Sequence, residues 1–377
     1  MSAFSLGRVT AVMVKEFTQL SRDRLTYALI LVMPIVQLLL FGYAINNDPR
    51  NLPAAVLVQD NGAFARSTLT SIANSGYFRI VETARTPAEL DHALEVGRVM
   101  FAITIPADFT RRVVRGDRAQ ILIEADATDP GATGAAVAAL AALPQEALKH
   151  DLTGAVARGP QAAAPFEVVV HRRYNPEAIT AYNIVPGLLG VILSMTLVMM
   201  TSLGVTREYE RGTMESLLAT PVRPLEVMAG KLAPYVLVGL VQTVFILLLA
   251  RLLFDVPMLG GWGALATGIM LFIVGSLALG FLLSTVARTQ LQAMQMSVFY
   301  ILPSILLSGF MFPFRGMPEW AQALGTVIPV THFLRVVRGA LLKGLDFADL
   351  WPSLASLGVF VLVVVSLAMA RYRTTLD

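Results

Sequence analysis

Long apolar runs without charge alternate with polar stretches along this chain, and that alternation predicts membrane-crossing helices. Six runs are long enough, over residues 25–45, 178–206, 232–254, 264–287, 289–312 and 350–370. About 20 residues at helical rise cover a hydrocarbon layer of roughly 30 Å. Pro257, Gly260, Gly261 and Gly263 are turn residues that set the start of the fourth run near Ala264, with Trp262 at an interface. Residues 313–349 hold a shorter uncharged cluster, Trp320 to Leu334, broken by Pro329, which predicts a re-entrant or interfacial segment.

Residues 46–177, between the first two runs, have a soluble composition and enough length for a core of their own. Strands are expected at Ala54–Gln59, Ile121–Glu124 and Phe166–Val170, and helices at Ala65–Ala73, Pro87–Val96 and Gly134–His150. Thr86 followed by Pro87 and Glu89 has the form of a capping box, and 154–165 is the expected flexible loop. The expected fold is therefore a six-span all-α membrane bundle carrying an inserted α+β extracytoplasmic domain.

Composition agrees, since 55% of the 377 residues are hydrophobic and 15% charged, against about 25% charged in a typical soluble domain. Basic residues flank the runs on one side of a six-span plan: Arg8, Lys15, Arg22 and Arg24, then Arg207, Arg211, Arg223 and Lys231, then Arg288, Arg371 and Arg373. Positive charge favours the cytoplasmic side, so the segments 1–24, 207–231 and 371–377 are expected inside. Arg315, Arg335, Arg338 and Lys343 depart from that rule by clustering on the opposite side. A cleaved signal peptide fits poorly, because the leader is too long and the first run exceeds a signal core. The segment Asn46 to Thr180 balances 13 basic against 15 acidic residues, which gives a nucleic-acid partner no support.

Catalytic chemistry is sparse. No phosphate-loop motif, H-E-x-x-H or G-x-S-x-G occurs, Cys is absent, and the four histidines are scattered, so no metal site is expected. The runs also lack the carboxylate or histidine that a proton relay needs. They carry uncharged polar groups instead, among them Gln292, Gln295 and Tyr300, and span two adds Met195 and Met199. Such residues either pack and hydrogen-bond helices together or line a path for an amphiphilic or hydrophobic substrate.

Residues 207–231 differ from their surroundings. Met214, Leu217 and Leu218 recur at helical spacing behind a Thr213 cap and Glu215, and Pro221 closes the segment. So short an amphipathic helix needs something to press on, either the membrane surface and its own spans or a soluble partner. Glu210, Gly212, Thr213, Met214, Glu215, Leu217, Leu218, Thr220 and Pro221, followed by Glu226, Gly230 and Lys231, resemble the signature of type-2 ABC exporter permeases. Met317 to Trp320, Pro329, Thr331 to Phe333, Arg338-Gly339 and Lys343-Gly344 are similar to the segment before the last span in that family.

The resemblance implies a coupling helix, with Thr213, Met214, Glu215, Leu217, Leu218 and Pro221 touching a separate ATP-binding subunit. Glu208, Glu210, Arg211, Gly212, Glu226 and Lys231 would support it. Pro318, Trp320, Pro329, His332 and Arg338 would form an outer lid. ATP and magnesium would be bound by the partner and no cofactor by this chain. A second copy or related permease and membrane lipid complete the implied partners, and a periplasmic adaptor is compatible with the plan. A membrane sensor or scaffold, binding a ligand outside and a soluble partner inside, is the alternative.

Overall fold

The computed structural model describes residues 50–149, 151, 164–210 and 224–371. The expected first span, at 25–45, and the helix expected at 213–219 lie outside the described residues, as do 1–24 and 372–377.

The N-terminal part is built on a five-stranded mixed sheet. In chain order it comprises β1 (Leu52–Val58), α1 (Ala63–Asn74), β2 (Phe78–Thr83), α2 (Pro87–Glu95), β3 (Phe101–Ile105), α3 (Phe109–Arg115), β4 (Ala119–Asp126), α4 (Pro130–Leu140), α5 (Leu143–Glu146) and β5 (Phe166–Arg173). The strand order is β2-β1-β3-β4-β5, and only the β3–β4 pair is antiparallel. β1 is flanked by strands on both sides and buried on both faces, which is why it reads as the unbroken apolar run LPAAVLV. Leu52, Ala54 and Val56 join a core that includes Ile72 and Phe109, while Ala55 and Leu57 pack with Leu90 and Leu94 from the other side.

Strand and helix thus alternate with helices on both faces, an α/β arrangement rather than the segregated α+β one expected. The difference comes from β2, β3 and α3. β2 alternates Phe-Arg-Ile-Val-Glu-Thr at an edge and is weakly apolar, and β3 is only five residues long. Half of the capping box forms as expected, with Thr86 Oγ1 accepting from Glu89 N at 3.2 Å, while the Glu89 carboxylate accepts from the N–H of Arg85, one residue before the cap, at 2.8 Å.

The C-terminal part is helical: α6 (Thr180–Glu210), α7 (Pro224–Phe254), α8 (Trp262–Val286) and α9 (Gln290–Leu307), then a 3-10 turn at Phe314–Gly316, α10 (Glu319–Val327), α11 (Pro329–Arg338), a π turn at Gly339–Lys343, and α12 (Phe347–Arg371). Among the described residues, five helices are long and apolar enough to cross a membrane: Thr180–Glu210, Lys231–Phe254, Trp262–Val286, Gln290–Leu307 and Phe347–Arg371. The chain is a multi-pass membrane protein. Helices α6 and α7 continue beyond the apolar windows 178–206 and 232–254, because charged ends can be satisfied by pairing, whereas hydropathy registers only the lipid-compatible part. α9 stops at Leu307, short of residue 312; Ser308 caps it and Gly309 follows at φ 84°.

α8 is the central helix, packed on α6, α11 and α12. A Cβ at Gly280 would sit 2.6 Å from the Val198 carbonyl, so only glycine permits the close crossing of α6 and α8. Phe272 of α8 stacks on Phe333 of α11, with centroids 4.1 Å apart, so α11 enters the bundle instead of lying on its rim. Leu237, Val241, Val244, Leu248 and Leu252 form an outward apolar stripe on α7, as expected for a lipid-facing surface.

Candidate functional site

α6 begins beside the sheet and, at 31 residues, carries its C-terminus about 46 Å away. At that far end three helices are tied together. The Lys231 ammonium of α7 donates to the Glu208 carboxylate of α6 in an ion pair. Glu210 accepts from the backbone N of Gln290 at 2.7 Å and from its Nε2 at 2.5 Å, and Arg207 Nε donates to Gln290 Oε1 at 3.3 Å. Gln290 is the first residue of α9, so Glu210 satisfies a free helix-end N–H and places negative charge at the positive end of the dipole. Gln292 is in the same end structure: its N is capped by Thr289 Oγ1 at 3.2 Å, and its Oε1 accepts from Arg288 N at 2.9 Å.

Farther up, the packing of Tyr235 on Gly204 and the Gln242 Nε2 to Thr196 Oγ1 bond at 3.2 Å continue the register of the Lys231–Glu208 pair. As α7 advances α6 recedes, so the two helices run antiparallel and are fixed at three levels. Exposed ion pairs contribute little stability, so the far-end contacts matter for position. The residues between α6 and α7, including Arg211, Gly212, Thr213, Met214, Glu215, Leu217, Leu218 and Pro221, lie outside the described residues. What the structure fixes is their two attachment points: Glu210 at one end and the helix beginning at Pro224, which contains Glu226, at the other. A groove of about 660 Å³ lined by Tyr209, Arg288 and Arg371 opens at this same end.

The residues expected to line a substrate path lie on α6 and α9. Met195 is half-exposed on α6, Met199 is partly buried, and Gln292 belongs to the α9 cap. Gln295 has a buried Oε1 with no hydrogen-bond partner among the described residues, and the Tyr300 carbonyl accepts from Ser304 Oγ at 2.7 Å.

The residues expected to form an outer lid lie on α10, α11 and the turn before them, toward the sheet. Pro318 precedes α10, Trp320 is exposed on it, and Pro329 opens α11, where its missing N–H costs nothing. His332 Nε2 lies 2.8 Å from the Thr326 carbonyl. Arg338 donates to the Gly309 carbonyl at 3.1 Å and to Asn183 Oδ1 at 2.6 Å, and Asn183 Nδ2 donates to Asp129 Oδ1 at 3.1 Å. Lys343 donates to Asp126 Oδ2 at 2.5 Å and to the carbonyls of Leu94 and Glu95, and stands 4.9 Å from the Tyr174 ring centroid. Both partners of the Lys343–Asp126 pair are about nine-tenths buried, so the pair joins the sheet to the end of α11 in low dielectric. Burial, and after it the Asp126 charge, push the Tyr174 hydroxyl up to about 12, which keeps it neutral beside that network.

Asp126, Asp129, Asn183 and Gln290 were not singled out in the sequence. Asp126-Ala-Thr-Asp129 after a strand and an Asn early in an apolar helix are weak signals on their own, because their partners are more than 50 positions away. Among the described residues, no three or more His, Asp or Glu side chains converge as metal ligands.

Comparison with known proteins follows this geometry. The model of the family described as ABC-2 family transporter protein matches residues 24–370. The Escherichia coli protein named "Probable multidrug ABC transporter permease YbhS" is 30% identical over 342 residues, 90% of each chain. Its namesake YbhR is 26% identical over 366 residues, covering 97% of this chain and 98% of YbhR. ABC transporter G family member 20 of Dictyostelium discoideum is 25% identical over 369 residues, 94% of this chain but 50% of that one.

Proposed function

Since the chain belongs to the ABC-2 family of transporter proteins, we propose that it is the permease subunit of an ATP-driven exporter in the bacterial inner membrane. In this role it moves an amphiphilic or hydrophobic molecule, drug-like or lipid, out of the cytoplasm or inner leaflet. ATP and magnesium are bound by a separate subunit, and this chain does no bond chemistry. Its termini are cytoplasmic, residues 25–45 supply a sixth span, and the sheet domain is extracytoplasmic.

The observation that carries the proposal is the three-helix tie at the far end of α6. A push on residues 211–223 acts on helices already joined through Glu208–Lys231 and Glu210–Gln290, so it moves α6, α7 and α9 together. Without such ties the same push would be absorbed by bending one chain end. Met195 and Met200 are exposed on the outer face of α6, where a second subunit would complete a path whose walls carry no charge. The names of YbhS and YbhR favour a drug-like cargo.

Co-purification in mild detergent tests the proposal. The expected result is recovery of an ATP-binding subunit with the wild-type chain and its loss with Glu215→Arg, at unchanged membrane insertion. Recovery of the chain without any nucleotide-binding protein, or equal recovery with the variant, would count against it.

A further inference from the structure

A residue with a side chain avoids positive φ, because its Cβ then crowds the carbonyl that follows. Among the described residues, six glycines adopt such an angle and four other residues do: Asn51, Tyr174, Ala178 and Asp255. Asn and Asp tolerate this conformation best; Tyr and Ala have no such allowance. Tyr174, at φ 67°, and Ala178, at φ 51°, both fall within residues 174–179, the connection by which β5 leads into α6. The unfavourable backbone geometry is therefore gathered where the sheet joins the bundle.

Such geometry persists only where the surroundings impose it. Here Asn175 is fully buried and its amide holds both backbone groups of Ile179: Nδ2 donates to the Ile179 carbonyl at 3.0 Å, and Oδ1 accepts from the Ile179 N at 2.8 Å. The Ala178 N donates to the Asn175 carbonyl at 3.0 Å, and Pro176 has its φ fixed by its ring, so the turn closes on itself. Both ends of the connection are fastened as well. Before it, Arg173 Nη1 pairs with Glu124 at 2.8 Å, and the Arg173 carbonyl accepts from the Ala127 N at 3.2 Å. After it, in the first turn of α6, Asn183 bonds Asp129, just beyond β4, and Arg338 of α11.

We propose that residues 174–179 form a strained, self-locked joint that makes the sheet domain and α6 move as one body. A slack tether would leave the sheet behind when α6 tilts; a joint with its dihedrals locked passes the tilt on. The strain also supplies a bias. Once Asn175 releases Ile179, the connection relaxes toward ordinary backbone angles and the sheet reorients. The joint requires neither an ATP-binding subunit nor a particular cargo, so it stands apart from the transport reading.

The test uses the full-length protein, which has no cysteine of its own. Val114→Cys and Leu259→Cys, both exposed, place one spin label on the sheet domain and one on the loop between α7 and α8. Double electron–electron resonance in nanodiscs reads the spread of distances between them, and thermal unfolding in detergent reads the strain. Ala178→Gly removes one methyl and leaves every backbone hydrogen bond of the turn in place. It should raise the melting temperature by about 1–3 °C, the reverse of the usual effect of glycine, and widen the distance distribution. Ala348→Gly, on the exposed first turn of α12, should not raise the melting temperature. Asn175→Ala should widen the distribution while lowering the melting temperature; if it does not fold, Ala178→Gly decides alone. A melting temperature unchanged or lowered in Ala178→Gly, or a distribution as narrow in that variant as in the wild type, would overturn the proposal.

Discussion

Lys343 is the residue on which the two halves of the molecule meet. Its ammonium is desolvated, yet it is satisfied by the Asp126 carboxylate, two backbone carbonyls and the Tyr174 ring. Removing one member of a buried pair strands the other charge, so Lys343→Met is expected to lower stability by about 3–5 kcal/mol. Adding Asp126→Leu should restore much of that loss, as measured by denaturant unfolding in detergent. Asp60 shows a different balance. Burial pushes its carboxyl up, but hydrogen bonds from the backbone N–H groups of Thr110 at 2.6 Å and Gly62 at 2.7 Å outweigh it and leave the pKa below the ordinary value. A lowered folded-state pKa means that Asp60 stabilises fully above the ordinary carboxylate range and loses its contribution as pH falls through the folded value. Asp60→Asn should therefore flatten the acid limb of stability against pH; an unchanged limb would contradict this assignment.

At the scale of elements, the tie between α6, α7 and α9 is a matter of position more than of strength. Glu210→Ala should leave the melting temperature within a degree or two while lowering transport per ATP hydrolysed by about tenfold, the upper range for a coupling residue. Transport unchanged by the variant would mean that work does not pass through this contact. The long helices were legible in the sequence because lipid imposes a crude test, about twenty uncharged residues, that the chain passes openly. β1 and the Thr86 cap were legible because each depends on neighbours in sequence. β2 and β3 were not, since a short or edge strand is held by partners far along the chain. Glu208, Glu210 and Lys231 were named through resemblance, but the Glu208–Lys231 tie spans 23 residues and the Glu210–Gln290 tie 80, so both became visible only when the helices were brought together. Asp126 and Asn183 gave only weak signals for the same reason.

The whole molecule has a polar tie at each end of one helical bundle. Near the sheet, Lys343 and Arg338 join the bundle to acids of the N-terminal domain; at the far end, Glu208 and Glu210 join the helices that flank residues 211–223. Between them, α6 and α8 cross closely at Gly280 and α11 is stacked into the bundle through Phe333, so a displacement at one end has stiff material through which to reach the other. The central claim is that this bundle receives work from an ATP-binding subunit through residues 211–223. The most direct measurement is ATP-dependent movement of a fluorescent amphiphile in proteoliposomes containing the chain and its cognate ATP-binding subunit, comparing wild type with Glu215→Arg. The account predicts transport by the wild-type pair only while ATP is hydrolysed and none by the variant; transport without nucleotide, or an equal rate with Glu215→Arg, would contradict it.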